Sequence, residues 1–255
     1  MVPAVEGSIP EDSVIMFVLG GPGCGKGTQC DKIKVAYDGV VHLSAGDLLR
    51  AEVASGSAIG DKLAATMKEG KLVPMQVTIT LLKNAMIKSG GKTFLVDGFP
   101  RALDQAVCFE KDVMPCKAVL FFDCPEEEMT KRIAHRGLTS GRADDNPETM
   151  MKRFKTFVTE SLPVKDHYLA QEKCSVISAI ATPDEVFVEV QKVLDPLLSK
   201  ASAEVSNIRE HLADQKQRYM HVPTYAHVYM CAPMRSQYLL NGACSCLHMH
   251  MCACM

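Results

Sequence analysis

VIMFVLGGPGCGKGTQ, Val14 to Gln29, decides the fold: six apolar residues, a glycine-rich loop, then a lysine and a threonine. The apolar run has the length of a buried strand, and the residues after the loop suit the start of a helix. Gly20, Gly21, Gly23 and Gly25 let the backbone curl with its N–H groups pointing inward. The helix that follows aims the positive end of its dipole at the same spot, so the loop suits a phosphate. Lys26 then reaches the β- and γ-phosphates of a nucleotide. The strict phosphate-loop pattern places Ser or Thr directly after the lysine, whereas here Gly27 intervenes and the hydroxyl comes at Thr28. A plain glycine-rich turn is the alternative. Against it, the strand, the lysine and the helix residues all stand where a nucleotide loop needs them.

Working outward, Thr28 to Tyr37 has a helix pattern and Val40-Val41-His42-Leu43 reads as a short buried strand. Ser44 is a candidate cap for the short helix that carries Arg50. Two further short helices, Ala58 to Glu69 and Met75 to Lys88, are separated by Gly70-Lys71-Leu72-Val73-Pro74, which suggests an insert that moves on the sheet. Thr93 to Val96 is an apolar strand ending in Asp97-Gly98-Phe99-Pro100-Arg101; an acid at the carboxyl end of such a strand sits beside the phosphate loop and can hold Mg²⁺ directly or through water. Ala118 to Phe122 ends at Asp123, which has the same option or caps the next helix. Glu126 to Arg136 is a charged helix, a polar loop follows, and Pro147 opens a long helix reaching Gln171. Cys174 to Ser178 is a last strand and Asp184 to Leu198 a last helix. Strands separated by helices throughout predict a parallel sheet with helices on both faces.

The 255 residues suffice for a sizeable core, and 47% hydrophobic with 23% charged residues is an ordinary globular balance. A formal net charge of −2 with no basic run argues against nucleic acid as a partner. No uncharged apolar run approaches the ~20 residues a membrane span needs, and the N-terminus lacks the pattern of a secretory signal. A soluble protein of the cytoplasm, with the nucleus also open to it, is expected. Of 11 cysteines, Cys24, Cys30, Cys108, Cys116, Cys124 and Cys174 fall in the first 195 residues and read as reduced thiols.

Arg50, Arg101, Arg132, Arg136, Arg142 and Arg153 all fall at element ends or beside the polar loop. Any one of them alone suits a solvated surface. Together with a phosphate loop and Asp97 they suit a polyphosphate, because phosphoryl transfer needs donor and acceptor held in line and the charge of the transferring group neutralised.

GGPGCGKGT, SAGDLLR, DGFPR and RGLTSGRADDN, in this order, closely resemble the nucleoside monophosphate kinases, in particular the UMP/CMP kinase (uridylate kinase) and cytosolic adenylate kinase group. The resemblance covers about residues 12 to 195. In that family the GKGT loop is the usual form, so Gly27 supports the reading. The implied fold is a three-layer α/β phosphate-loop fold with a five-stranded parallel sheet and helices on both faces. Its expected divisions are an N-terminal extension 1–12, a kinase domain 13–198 with a monophosphate-binding insert at about 44–75 and a short lid at about 136–146, and a tail 199–255 of little order.

The resemblance assigns Gly23, Cys24, Gly25, Lys26, Gly27 and Thr28 to the ATP phosphates, with Arg132, Arg136 and Ala181 on the ATP side. It assigns Ala45, Arg50, Lys71, Leu72, Val73, Gly98, Phe99, Pro100, Arg101, Gln105, Arg142 and Arg153 to the monophosphate. It implies catalytic roles for Lys26, Arg101, Arg136, Arg142 and Arg153, and a place for Asp97 near Mg²⁺ through water. Asp144 and Asp145 match acids that hold the closed lid; the lid from Gly137 to Asn146 has no cysteine, so no lid zinc is expected. Mg²⁺ is the implied cofactor, ATP and a nucleoside monophosphate the implied partners, and a monomer the expected state.

The acceptor turns on Ala45 and Gln105. Adenylate kinases of this type usually carry Thr and Gln there, animal UMP/CMP kinases Ala and Asn; this chain mixes the two. LSAGDLLRAE, DGFPRALDQA and LFFDCPEE look most like the fungal-type uridylate kinases, so UMP is the expected acceptor, with CMP and AMP as further ones. Adenylate kinase is the alternative, and a nucleotide-binding regulator without catalysis a remote one. Beyond about Pro196 the resemblance stops. The alternating Cys244, Cys246, His248, His250, Cys252 and Cys254 offer metal ligands, but their spacing is no known zinc pattern.

Overall fold

The computed structural model describes residues 2–137 and 147–198, all within Met1–Ala201, the first of two units into which the chain divides. Arg142, Asp144, Asp145, the lid over 138–146 and the Cys/His tail lie outside the described residues.

The opening stretch forms β1 (Val14–Gly20) and α1 (Lys26–Ala36). There follow β2 (Val40–Ser44), α2 (Ala45–Ala54), α3 (Ala58–Lys68), α4 (Met75–Ser89), β3 (Thr93–Asp97), α5 (Leu103–Asp112), β4 (Ala118–Asp123) and α6 (Glu126–Gly137). After the lid come α7 (Pro147–Thr156), α8 (Leu162–Leu169), β5 (Cys174–Ser178) and α9 (183–198). The five strands are all parallel in the order β2-β3-β1-β4-β5. The chain first builds to one side of β1 and then to the other. The carboxyl end of β1 is therefore where strand order reverses, and a crevice opens there in doubly wound sheets.

Period-two alternation along each buried strand divides the core between the faces. Ile15, Phe17 and Leu19 of β1 join Phe94, Val96, Val119 and Phe121 under α4, α5 and α8. Met16 and Val18 join Leu95, Leu120 and Phe122 under α1, α6 and α9. On the first face Phe17 meets Phe99, Phe109 and Tyr168 edge-on, with ring centroids 5.3–6.0 Å apart. β2 is only half buried, with Val41 and His42 partly exposed, because it is the edge strand.

Ser44 caps α2 as expected, its Oγ accepting from the Asp47 N–H at 3.2 Å. The single long helix expected from Pro147 to Gln171 is instead two α-helices joined by a π-helical turn, Phe157–Ser161. Pro163 has no N–H to give to the carbonyl one turn back, and the π register absorbs the break. That turn carries Ser161, whose Oγ donates to the Arg101 carbonyl at 2.8 Å. Ahead of β1, the N-terminal segment is tied to α4: Val5 N–H donates to Asn84 Oδ1 at 2.9 Å and Asn84 Nδ2 to the Pro3 carbonyl at 2.8 Å.

Candidate active site

The loop between β1 and α1 is held in its curl by φ angles that suit glycine. Gly23 has φ +81°, and a Cβ there would stand 2.6 Å from Ile133 Cγ1 and 2.8 Å from the Met129 carbonyl. Gly25 caps α1 in the left-handed conformation, which leaves the first N–H groups of the helix uncapped by any side chain. Lys26 Nζ folds back over the loop and donates to the carbonyls of Gly20 and Gly21, both at 2.8 Å.

These groups form one end of a cavity of about 540 Å³. Its walls add Arg132 and Arg136 from α6, Arg153 from α7, Arg50 from α2, and Asp97 and Arg101 around the end of β3. Six cationic side chains thus face three acids, Asp31, Asp47 and Asp97, a balance that favours a polyanion. Arg132 is held in place by Glu128, whose Oε1 accepts from Nε at 2.8 Å, and by the Ala179 carbonyl, which accepts from Nη1 at 2.9 Å. Arg101 Nε donates to the Gly98 carbonyl at 2.9 Å, which aims the guanidinium across the turn.

A narrower recess of about 50 Å³ continues from this cavity, sharing Arg50, Arg101 and Arg153 with it. It is lined by Ala45, Leu49, Met67, Lys71, Leu72, Val73, Thr78, Phe99 and Gln105. Gln105 is 5% exposed, and its Oε1 accepts the Arg101 backbone N–H at 3.0 Å. The cavity is walled by charge, while the recess sets Ala45, Leu49, Met67, Val73 and Phe99 around the Thr78 hydroxyl and the Gln105 amide. Charge of this sign and density suits phosphate-bearing ligands.

The model of the adenylate kinase family matches residues 18–173. The chain is 51% identical over 189 residues to adenylate kinase isoenzyme 1 of Caenorhabditis elegans, spanning 73% of this chain and 90% of that protein. It is 46% identical over 189 residues to the uridylate kinase of Saccharomyces cerevisiae (72% and 92%). To UMP-CMP kinase 3 of Arabidopsis thaliana it is 51% identical over 204 residues (79% and 98%).

The chain belongs to the adenylate kinase family. It is a nucleoside monophosphate kinase.

In this adenylate kinase family member, most residues singled out in the sequence converge on one connected space. Gly23, Gly25, Lys26, Gly27, Thr28, Arg132, Arg136, Asp97 and Pro100 line the cavity, while Ala45, Lys71, Val73, Phe99 and Gln105 line the recess. Arg50, Leu72, Gly98, Arg101 and Arg153 line both. Two stand apart. Cys24 is 2% exposed and turned into the core, so it meets the loop from beneath; Ala181 is exposed in the turn before α9 and is not among the lining residues. Asp123, the alternative acid, is exposed at the end of β4 and does not line the cavity.

Sequence reasoning missed Thr78 and His42 as lining residues. A signal for Thr78 existed: it is a hydroxyl on the buried stripe Thr78, Ile79, Leu82 and Met86 of α4. Its Oγ1 is buried and without a hydrogen-bond partner. Burial sets the thiols apart as well. Cys116 is pushed up to about 12 by desolvation, and Cys30 is raised by burial and by the nearby Asp97 carboxylate.

Proposed function

We propose that this kinase transfers the γ-phosphoryl group of ATP to UMP, with CMP and AMP as further acceptors. The observation that carries the reading is the continuity of the two spaces: Lys26 and the loop at one end, Gln105 and Ala45 at the other, and Arg50, Arg101 and Arg153 between them. The Ala45 methyl, 2% exposed, offers no hydrogen bond to a purine edge.

In this reading the loop N–H groups and Lys26 bind the β- and γ-phosphates, and Lys26 leaves the Gly20 and Gly21 carbonyls to do so. Arg132 and Arg136 hold the donor from the α6 side. Arg50 and Arg101 hold the acceptor phosphate, and Arg153, which borders both spaces, neutralises charge on the group in transit. Asp97 Oδ1 is buried and has no hydrogen-bond partner, so it fits a ligand to Mg²⁺ or to one of its waters. Mg²⁺ held there would supply positive charge against the phosphates. The protein forms no covalent bond to the group; its part is positioning and electrostatics.

Adenylate kinase is the second reading, favoured by relatives of that name at 51% and 52% identity. Initial rates with ATP and UMP, CMP or AMP decide between them. UMP is expected to give the highest kcat/KM; a value for AMP above that for UMP overturns the choice of acceptor while leaving phosphoryl transfer intact.

A further inference from the structure

Cys30 of α1, His42 of β2 and Asp97 of β3 each bring one donor atom to a common cluster. Among the described residues they are the group of His, Cys and acid side chains whose ligand atoms lie within 4.8 Å of one another. The register explains the meeting. His42 stands opposite Leu95, two residues before Asp97 on the same strand, so period-two alternation puts His42 and Asp97 on one face of the sheet. Leu95 and Cys30 share the core cluster of that face, where α1 packs.

His42 Nε2 and Asp97 Oδ1 are both buried without a hydrogen-bond partner, and His42 Nε2 lies 3.9 Å from Asp97 Oδ2. Orphaned polar atoms this deep are uncommon in native proteins and point to an unseen partner. Around a tetrahedral Zn²⁺, with metal–donor distances of about 2.0–2.3 Å, neighbouring donors stand roughly 3.3–3.8 Å apart. Donors as much as 4.8 Å apart need to close by about 1.0–1.5 Å to reach that spacing. A thiol, an imidazole and a carboxylate select a borderline-soft ion; Mg²⁺, which prefers oxygen alone, does not seek this set.

We propose that Cys30 Sγ, His42 Nε2 and an Asp97 oxygen bind a soft divalent cation such as Zn²⁺, with its fourth position open to the cavity that His42 and Asp97 line. On binding, the Cys30 S–H bond breaks, its proton passes to solvent and an S–metal bond forms, with no change of oxidation state. Occupancy takes Asp97 from the nucleotide's Mg²⁺, so the soft ion inhibits phosphoryl transfer. That inhibition rests on the kinase reading above; the binding does not.

The test uses the full-length chain, with Co²⁺ as a spectroscopic probe and Zn²⁺ as competitor. Wild type, Cys30→Ala and His42→Asn are titrated with Co²⁺ under reducing, anaerobic conditions, following the thiolate-to-cobalt charge-transfer band. Because the three proteins share the cysteines and histidines of the C-terminal tail, only the difference between them reports this site. The expected result is one equivalent of Co²⁺ fewer in each variant. In the same proteins Zn²⁺ should inhibit turnover of the wild type at concentrations about 10-fold or more below those needed for either variant. Equal stoichiometry in all three overturns the site. A lost equivalent with unchanged Zn²⁺ inhibition keeps the site and overturns the inhibitory role. Cys30 and His42 come from different elements, so loss of the equivalent in both, with native circular dichroism in at least one, is the supporting outcome.

Discussion

The Arg101 backbone N–H donates to Gln105 Oε1 at 3.0 Å, and this bond orients the amide at the inner end of the recess. With the carbonyl oxygen held by the clamp's own backbone, Nε2 is left as the donating end toward a base. Gln105→Glu keeps an acceptor for the Arg101 N–H but removes that donor. It is expected to lower kcat/KM for the monophosphate about 100-fold, near 2.7 kcal/mol, because a base oxygen or ring nitrogen then faces a carboxylate. The KM for ATP should stay within about twofold. Steady-state rates with each substrate varied check both.

Lys26→Met removes the ammonium from the phosphate loop but keeps the length of the side chain. A fall in kcat of about 10³-fold or more is expected, since a charge meeting the transferring phosphoryl group is lost. Folding stability should change by less than about 1 kcal/mol, because the Lys26 ammonium bonds within its own loop, to the Gly20 and Gly21 carbonyls and the Cys24 sulfur. Turnover measured beside urea unfolding separates the two effects.

Gly23 of the phosphate loop and Gly27 of the first turn of α1 should respond in opposite ways. Gly23→Ala places a methyl 2.6 Å from Ile133 Cγ1 at a φ of +81°, so it is expected to cost about 2 kcal/mol or more and to weaken ATP binding. A Cβ at Gly27, inside α1, meets nothing within 4 Å. Gly27→Ala is expected to raise stability by about 0.5–1 kcal/mol, the difference in helix propensity. Unfolding midpoints and nucleotide titration check the pair.

Thr78→Val replaces a buried hydroxyl without a partner by a methyl of the same shape. The expected gain is about 1 kcal/mol, since no hydrogen bond is lost and a desolvated polar group is removed. A lower urea midpoint than wild type contradicts it.

Alkaline pH should destabilise the protein through its buried thiols. Cys116 has its pKa pushed up to about 12 and Cys174 to about 11, from an ordinary value of 9.0, chiefly by desolvation. A folded pKa above the unfolded one means the folded state holds its proton longer. The contribution is therefore complete below pH 9 and is lost as pH rises toward 11 and 12. Between those limits each such group gives a slope of about 1.4 kcal/mol per pH unit. Unfolding by urea at pH 8 and pH 10 should show the drop, and Cys116→Ala should flatten it by one group's share.

Where local pattern dictates structure, the sequence was legible. Buried strands appear as apolar runs at β1, β3 and β4, the cap of α2 as Ser44, and the phosphate loop as glycines with Lys26. The interrupted helix after Pro147 was misread because Pro163 sits within an otherwise unbroken helical pattern, and a π turn has no sequence period of its own. Thr78 went unnoticed because a lone hydroxyl on an apolar stripe reads as packing until the stripe is seen to border a recess.

The loop Gly20 to Thr28 needed no tertiary structure to be recognised, since glycine conformation, a lysine and a helix start are local properties of consecutive residues. What the parallel sheet alone decided is which distant groups meet beneath and beside it. Strand register set His42 and Asp97 on one face, and α1 packing brought Cys30 to them. Those meetings depend on strand order and on which face each helix covers, and neither quantity is written in any single stretch of the chain.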